Sequence, residues 1–177
     1  SPDSDKSNLI KELKELEEKC DKLTFEITQT LIYCTTESLA GERALRVTSL
    51  LRVAGELEDI GECCHRLVQL AHRKYRKNRV LSQETLREIK VVSEQILDFM
   101  ELYQTHLKDG SIPDIKKAEL IENRIDASRK SLRKNAVKRM QDNENLKAEM
   151  IYIDILNEME SIGNDALNVV QALNHVV

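Results

Sequence analysis

The sequence predicts an all-α antiparallel bundle of about five long helices. Three observations carry that prediction. Apolar residues recur at steps of three and four over long stretches. Breakers are scarce, with five Gly and two Pro in 177 residues. The composition leans to Leu, Glu, Lys, Ile and Arg, which lose little entropy in a helix. A sheet protein would need aromatic and β-branched runs, yet aromatics are 3% and Trp is absent.

Residues 1–7 are polar and read as a linker or a boundary left by cloning, not as a signal peptide. Residues 8–36 read as the first helix, with Leu9, Leu13, Leu16, Cys20, Leu23, Ile27 and Leu31 as its inner stripe. Thr35, Thr36 and Ser38 stop it. Residues 39–78 form a second, with Val47, Leu51, Ala54, Leu57, Gly61, Cys64 and Val68 inward. Its basic tail from His72 to Lys77 suits the negative end of a helix dipole. Ser82 is the expected N-cap of a third helix over 83–108, whose stripe is Leu86, Ile89, Val92, Ile96, Phe99, Tyr103 and Leu107. Asp109-Gly110 ends it, and Pro113 opens the next at a tolerated first-turn position. The fourth helix spans about 114–141 through Ile115, Ala118, Ile121, Ile125 and Leu132, and Asp142 to Asn145 mark a turn. The fifth spans about 146–175, with Met159, Ile162, Ala166 and Val170 inward. Helices of this length reach roughly 40 Å, so one domain over 8–177 is expected rather than two small ones.

The 41% hydrophobic content suffices for a sizeable core. A net charge of −4 argues against a nucleic-acid partner, because neutralising phosphates needs a basic surface. There is no run of about 18 apolar residues, so this segment is not expected to span a membrane. Cys20, Cys34, Cys63 and Cys64 lack zinc-ribbon spacing and read as buried thiols in a reducing compartment.

The chain repeats itself. Glu17 to Leu23 aligns with Glu122 to Ser128 at an offset of 105 residues, and both stretches carry an acid, three residues, then an acid. Glu56 to Glu62 aligns with Glu158 to Asn164 at an offset of 102 residues. Two motifs at nearly one offset indicate an internal duplication, with a first repeat over 8–78 and a second over 82–175. Residues i and i+4 lie about 40° apart around a helix and about 6 Å along it. Glu58 and Glu62 therefore share a face, as do Glu160 and Asn164, with Gly61 and Gly163 between them. Antiparallel packing would set Glu17 and Asp21 opposite Glu58 and Glu62, and Glu122 and Asp126 opposite Glu160 and Asn164. Converging carboxylates repel unless some take up protons or a cation joins them. Oxygen ligands suit iron, magnesium, manganese or calcium, so a divalent or trivalent metal ion is the expected cofactor.

Glu58-Asp59-Ile60-Gly61-Glu62 and the stretch from Glu160 to Val169 resemble the PhoU family signature, a Leu-Glu-Arg-Ile-Gly-Asp type of helix motif. The acid pairs Glu17/Asp21 and Glu122/Asp126 match the pair this family carries on the preceding helix. The resemblance covers most of the chain. It implies two three-helix repeats, acidic motifs able to hold metal clusters, and regulation of phosphate transport without enzymatic activity. Ala166-Leu167-Asn168-Val169-Val170 most resembles the PhoU-like domain at the C-terminus of bacterial sodium/phosphate cotransporters. That implies a partner in an upstream membrane transport segment, and a place on the cytoplasmic side of the inner membrane. The pattern departs from the family at three places. Glu62 stands for an Asp, Asn164 stands for the second Asp and weakens that site, and the first repeat lacks one helix. An apolar groove left by that helix would favour a homodimer.

Two other readings compete. Glu62-Cys63-Cys64-His65 has the Glu-x-x-His spacing of di-iron carboxylate oxidoreductases, but occurs once. A metal-free docking module is the other, with Arg73, Lys74, Arg76 and Lys77 facing lipid heads or an acidic partner. The cluster Arg129, Lys130, Arg133, Lys134, Lys138 and Arg139 reads as a solvated face.

Overall fold

The computed structural model describes the backbone of residues 2–35, 41–142 and 145–176, and the side chains of all of these except 2–7 and 9. The described residues form five helices: α1 (Pro2–Cys34), α2 (Glu42–Arg76), α3 (Gln83–Asp109), α4 (Ile115–Gln141) and α5 (Leu146–Leu173). The all-α bundle is as the periodicity predicts. None of these helices is long and apolar enough to cross a membrane.

Local chemistry sets the ends. The Thr35 hydroxyl donates to the Ile32 carbonyl at 2.6 Å where α1 stops, while Thr36 and Ser38 lie outside the described residues. Ser82 caps α3 as expected, its hydroxyl accepting from the Thr85 amide at 3.0 Å. Gly110 closes α3 in the left-handed region at φ 69°, which favours a residue without Cβ. Asp114, not Pro113, governs the start of α4, its carboxylate accepting from the Lys116 and Lys117 amides. Pro113 precedes the cap and is buried. Residues 2–7, expected as a linker, are the first turns of α1.

The central helix is α5, which packs against α2, α3 and α4. Fourteen of its residues are buried, Tyr152, Leu156, Ile162, Val169 and Val170 among them. With α3 and α4 it makes a three-helix unit around Val92, Phe99, Ala118 and Ile125. On the opposite side α2 lies along α5, and among the described residues α1 touches α2 alone. This explains where the predicted stripes fail. Leu16, Leu23 and Ile27 were expected inward but are 60%, 47% and 46% exposed. Their aligned counterparts in α4 are Ile121, Ser128 and Leu132, on the side that α3 covers; Ser128 donates to Gln95 of α3. No helix does this for α1 among the described residues. In α2 the buried stripe is Val53, Ala54, Ile60 and Cys63, turned to α5, while the predicted Val47, Leu51, Leu57 and Val68 are half-buried. Cys63 is the buried thiol; Cys20 and Cys64 are half-buried and Cys34 is exposed, against the expectation for all four.

The duplication is visible atom by atom. Gly61 faces Cys20, and Gly163 faces Ile125, which is the counterpart of Cys20 at the offset of 105. Asn168 donates to Glu56 at 2.9 Å, and Arg66 donates to Glu158 at 2.8 Å. Shifting either pair by 102 residues turns it into the other. Cys63 and Asp165, with Sγ and Oδ2 4.0 Å apart, are each other's counterpart. A local two-fold axis therefore relates α1–α2 to α4–α5 and passes close to that contact.

The two glycines differ in slack. A Cβ at Gly61 would meet Cys20 Sγ at 3.4 Å, an ordinary contact. One at Gly163 would meet Ile125 Cγ2 at 3.2 Å and Cδ1 at 3.3 Å, so a buried side chain must move. Gly61→Ala should raise stability by up to about 1 kcal/mol through helix propensity. Gly163→Ala should gain less or lose. Thermal denaturation of both variants checks the order, and the reverse order would mean that Ile125 is free to shift.

Candidate functional site

Each acidic cluster forms where an outer helix meets its repeat partner. In the first repeat, α1 supplies Glu17 and Asp21, and α2 supplies Glu58 and Glu62. The close approach of Cys20 to Gly61 brings the two backbones together at this level. Glu58 feels its neighbours: its carboxyl is pushed above the ordinary range by burial, then by Asp59, Glu62, Asp21 and Glu17. Glu17 Oε2 lies 3.4 Å from His65 Nδ1. Glu62 turns outward to Arg66, whose Nη1 lies 2.6 Å from Oε2. Among the described residues, neither Glu58 nor Asp21 is joined to a basic side chain.

In the second repeat, α4 supplies Glu122 and Asp126, and α5 supplies Glu160 and Asn164. Glu122 is raised by burial, then by Asp126 and Glu160. Asp126 is lowered, chiefly by its hydrogen bond from Lys130 and then by Arg129. Arg129 Nη2 lies 3.3 Å from Asp126 Oδ1 and 3.5 Å from Glu160 Oε1. Asn164 is exposed.

Of the eight predicted residues, Glu17, Asp21 and Glu62 act electrostatically on Glu58, and Asp126 and Glu160 act on Glu122, while Asn164 is exposed. As placed, no three His, Cys, Asp or Glu side chains converge tightly enough to hold a metal ion among the described residues. The donor chemistry of the two groups differs. The first is a set of mutually repelling carboxylates that a cation would relieve, and its oxygens suit a hard ion. In the second, one guanidinium, that of Arg129, reaches an acid from each helix, whereas in the first Arg66 and His65 each meet a single acid of the group.

The sequence reading misses two arginines. It places Arg129 and Arg139 on a solvated face, yet both are largely enclosed, with side chains 17% and 12% exposed. Arg139 bridges Glu88 of α3 at 3.2 Å and Glu149 of α5 at 3.0 Å. A signal existed, since Ile125, Leu132 and Arg139 succeed one another at steps of seven on the inward stripe.

Glu62 and His65 face different partners. His65 faces Glu17 through Nδ1 and Gln69 through Nε2 at 2.9 Å, while Glu62 faces Arg66. In the basic tail, Arg73 is held by Asp154 at 2.9 Å, Lys74 is half-buried, and Arg76 and Lys77 are exposed. The Cys63 thiol is pushed up to about 11 by burial despite Arg66 beside it, which disfavours the thiolate.

No curated protein matches the chain. A family model described as PhoU domain matches residues 3–71, the stretch that carries α1, most of α2 and the first acidic cluster, and this match supports the PhoU family.

Proposed function

We propose that this bundle is a metal-binding regulatory domain in phosphate homeostasis, working within a sodium-dependent phosphate cotransporter at the cytoplasmic face of the inner membrane. The PhoU-domain match supports the phosphate-regulatory part, and PhoU is a regulatory family rather than an enzyme family. What supports the metal part is that α1 and α2 bring Glu17, Asp21, Glu58 and Glu62 near enough for the charges of the other three to act on Glu58, although no three of them converge as placed among the described residues. A divalent or trivalent ion there would supply positive charge that lets all four stay ionised. It would link α1 to α2, the helix that runs along α5, and so stiffen the contact between the two repeats. The cotransporter part is supported by the run Ala166 to Val170 after Ile162-Gly163. The exposed stripe Leu16, Leu23 and Ile27 supports contact with the transport segment or with a second copy of the chain.

Elemental analysis of tag-free protein tests the metal. Near-stoichiometric metal is expected in the wild type, with at least a tenfold loss in Glu58→Ala/Glu62→Ala. Equal trace amounts in both would remove the metal from this reading. Co-purification with the membrane part of a cotransporter tests the partner; absence of association at both high and low phosphate would remove it.

A further inference from the structure

The two acidic clusters differ at the third and fourth residues after the second acid of α1 and of α4. In the first repeat those positions hold Thr24 and Phe25, and their counterparts at the offset of 105 are Arg129 and Lys130. Arg129 is not a surface charge that happens to pass by. Its guanidinium reaches both Asp126 of α4 and Glu160 of α5. It stays there although its Nε is buried without a hydrogen-bond partner. Lys130 takes the other oxygen of Asp126. Asn164 removes the fourth charge that Glu62 keeps in the first repeat. In repeat 2 Arg129 and Lys130 engage Asp126, and Arg129 also engages Glu160; in repeat 1 Arg66 engages Glu62 and His65 lies beside Glu17, while Glu58 and Asp21 meet no basic side chain among the described residues. A guanidinium carries its charge at every accessible pH and, being part of the chain, never leaves by dilution. A metal ion entering repeat 2 would have to displace it and then sit beside it.

We infer that the Arg129 guanidinium is the permanent counter-ion of the second acidic cluster, so that repeat 2 takes no metal ion and any metal bound sits among Glu17, Asp21, Glu58 and Glu62. The second half of this statement rests on the function proposed above; the first half stands without it.

Manganese(II) titration of metal-stripped protein, monitored by calorimetry and by the loss of free-ion electron resonance, tests both halves. The wild type should take up no more than one equivalent. Glu160→Gln should leave that affinity within about twofold, and Glu58→Gln/Glu62→Gln should weaken it at least tenfold. Arg129→Thr/Lys130→Gln should gain an equivalent, lost again when Glu160→Gln is added. Helicity by circular dichroism shows that the variant is folded, and Arg129→Lys, which keeps the charge, should gain nothing. A second wild-type equivalent that disappears in Glu160→Gln would overturn the inference; that arm leaves Arg129 untouched. So would a folded Arg129→Thr/Lys130→Gln that binds no more ion than its parent. A wild type that binds nothing, beside a variant that gains a site, would sink the proposed metal function and uphold the role of Arg129.

Discussion

Replacing Arg139 with methionine should lower the unfolding free energy by about 3–5 kcal/mol at neutral pH, because it leaves two enclosed carboxylates without their cation. The Arg139 guanidinium joins Glu88 at 3.2 Å to Glu149 at 3.0 Å, and these side chains are only 12% and 5% exposed. The guanidinium carbon also lies 5.4 Å from the centroid of the Tyr152 ring, and the Tyr152 hydroxyl donates to Glu88 at 2.7 Å. One cation therefore ties α3, α4 and α5 together at the end of the bundle where α3 begins. Methionine fills similar volume, so the loss reads charge rather than a cavity. Adding Glu149→Gln to Arg139→Met should recover part of it, since one of the stranded charges is gone. Urea denaturation measures both. A loss under about 1 kcal/mol would show that water screens this cluster as it does surface pairs.

Asp165→Asn should stabilise the protein by about 1–2 kcal/mol at pH 7.5 and leave it nearly unchanged at pH 4. Burial first, then Asp59 and Glu56, raise this carboxyl from 3.8 to about 6 against the pull of Arg66. The native state thus holds a proton that the unfolded chain has released between those two values. Stability falls as pH rises through that window, and the whole penalty is present above it. A two-unit shift is worth about 3 kcal/mol, and the partial exposure of the group reduces this through solvent screening. Asparagine keeps the shape and sheds the charge. The readout is the difference between variant and wild type in urea at each pH. An equal difference at pH 4 and pH 7.5 would mean that Asp165 is ionised throughout.

Helix order, and the extent of α3, α4 and α5, were legible in the sequence because each of these three carries a periodic stripe and a local stop, whereas α1 begins earlier than the polar residues 2–7 suggested. Ser82 and Gly110 are where cap chemistry puts them. The duplication was legible too, and the Gly61–Cys20 and Gly163–Ile125 contacts occupy equivalent places. What periodicity could not give was which stripe each helix uses. The sequence favours the stripe through Val47, Leu51, Ala54, Leu57 and Gly61, yet apart from Ala54 the buried side of α2 is the neighbouring one through Val53, Ile60 and Cys63, turned to α5. Likewise Leu16, Leu23 and Ile27 have helical spacing but no helix covers them among the described residues, and a spacing rule does not report a missing cover.

The acid pairs were legible in the sequence as residues sharing a helix face, and their electrostatics were not. Carboxylates four residues apart announce a shared face, whereas a guanidinium arrives on a long side chain from an ordinary position. Arg129 could equally have pointed to water; the residues of α5 opposite it decide that it does not.

The contact between Cys63 and Asp165 carries a consequence for how the halves came to differ. Two identical halves would have brought the same side chain to both members of that contact, either a pair of thiols or a pair of carboxylates. Two enclosed carboxylates facing each other would each suppress ionisation of the other. Linking the halves in one polypeptide allows a thiol on one side and an acid on the other. An uneven charge at the centre of an otherwise even joint is open to a tandem chain and closed to a self-paired one.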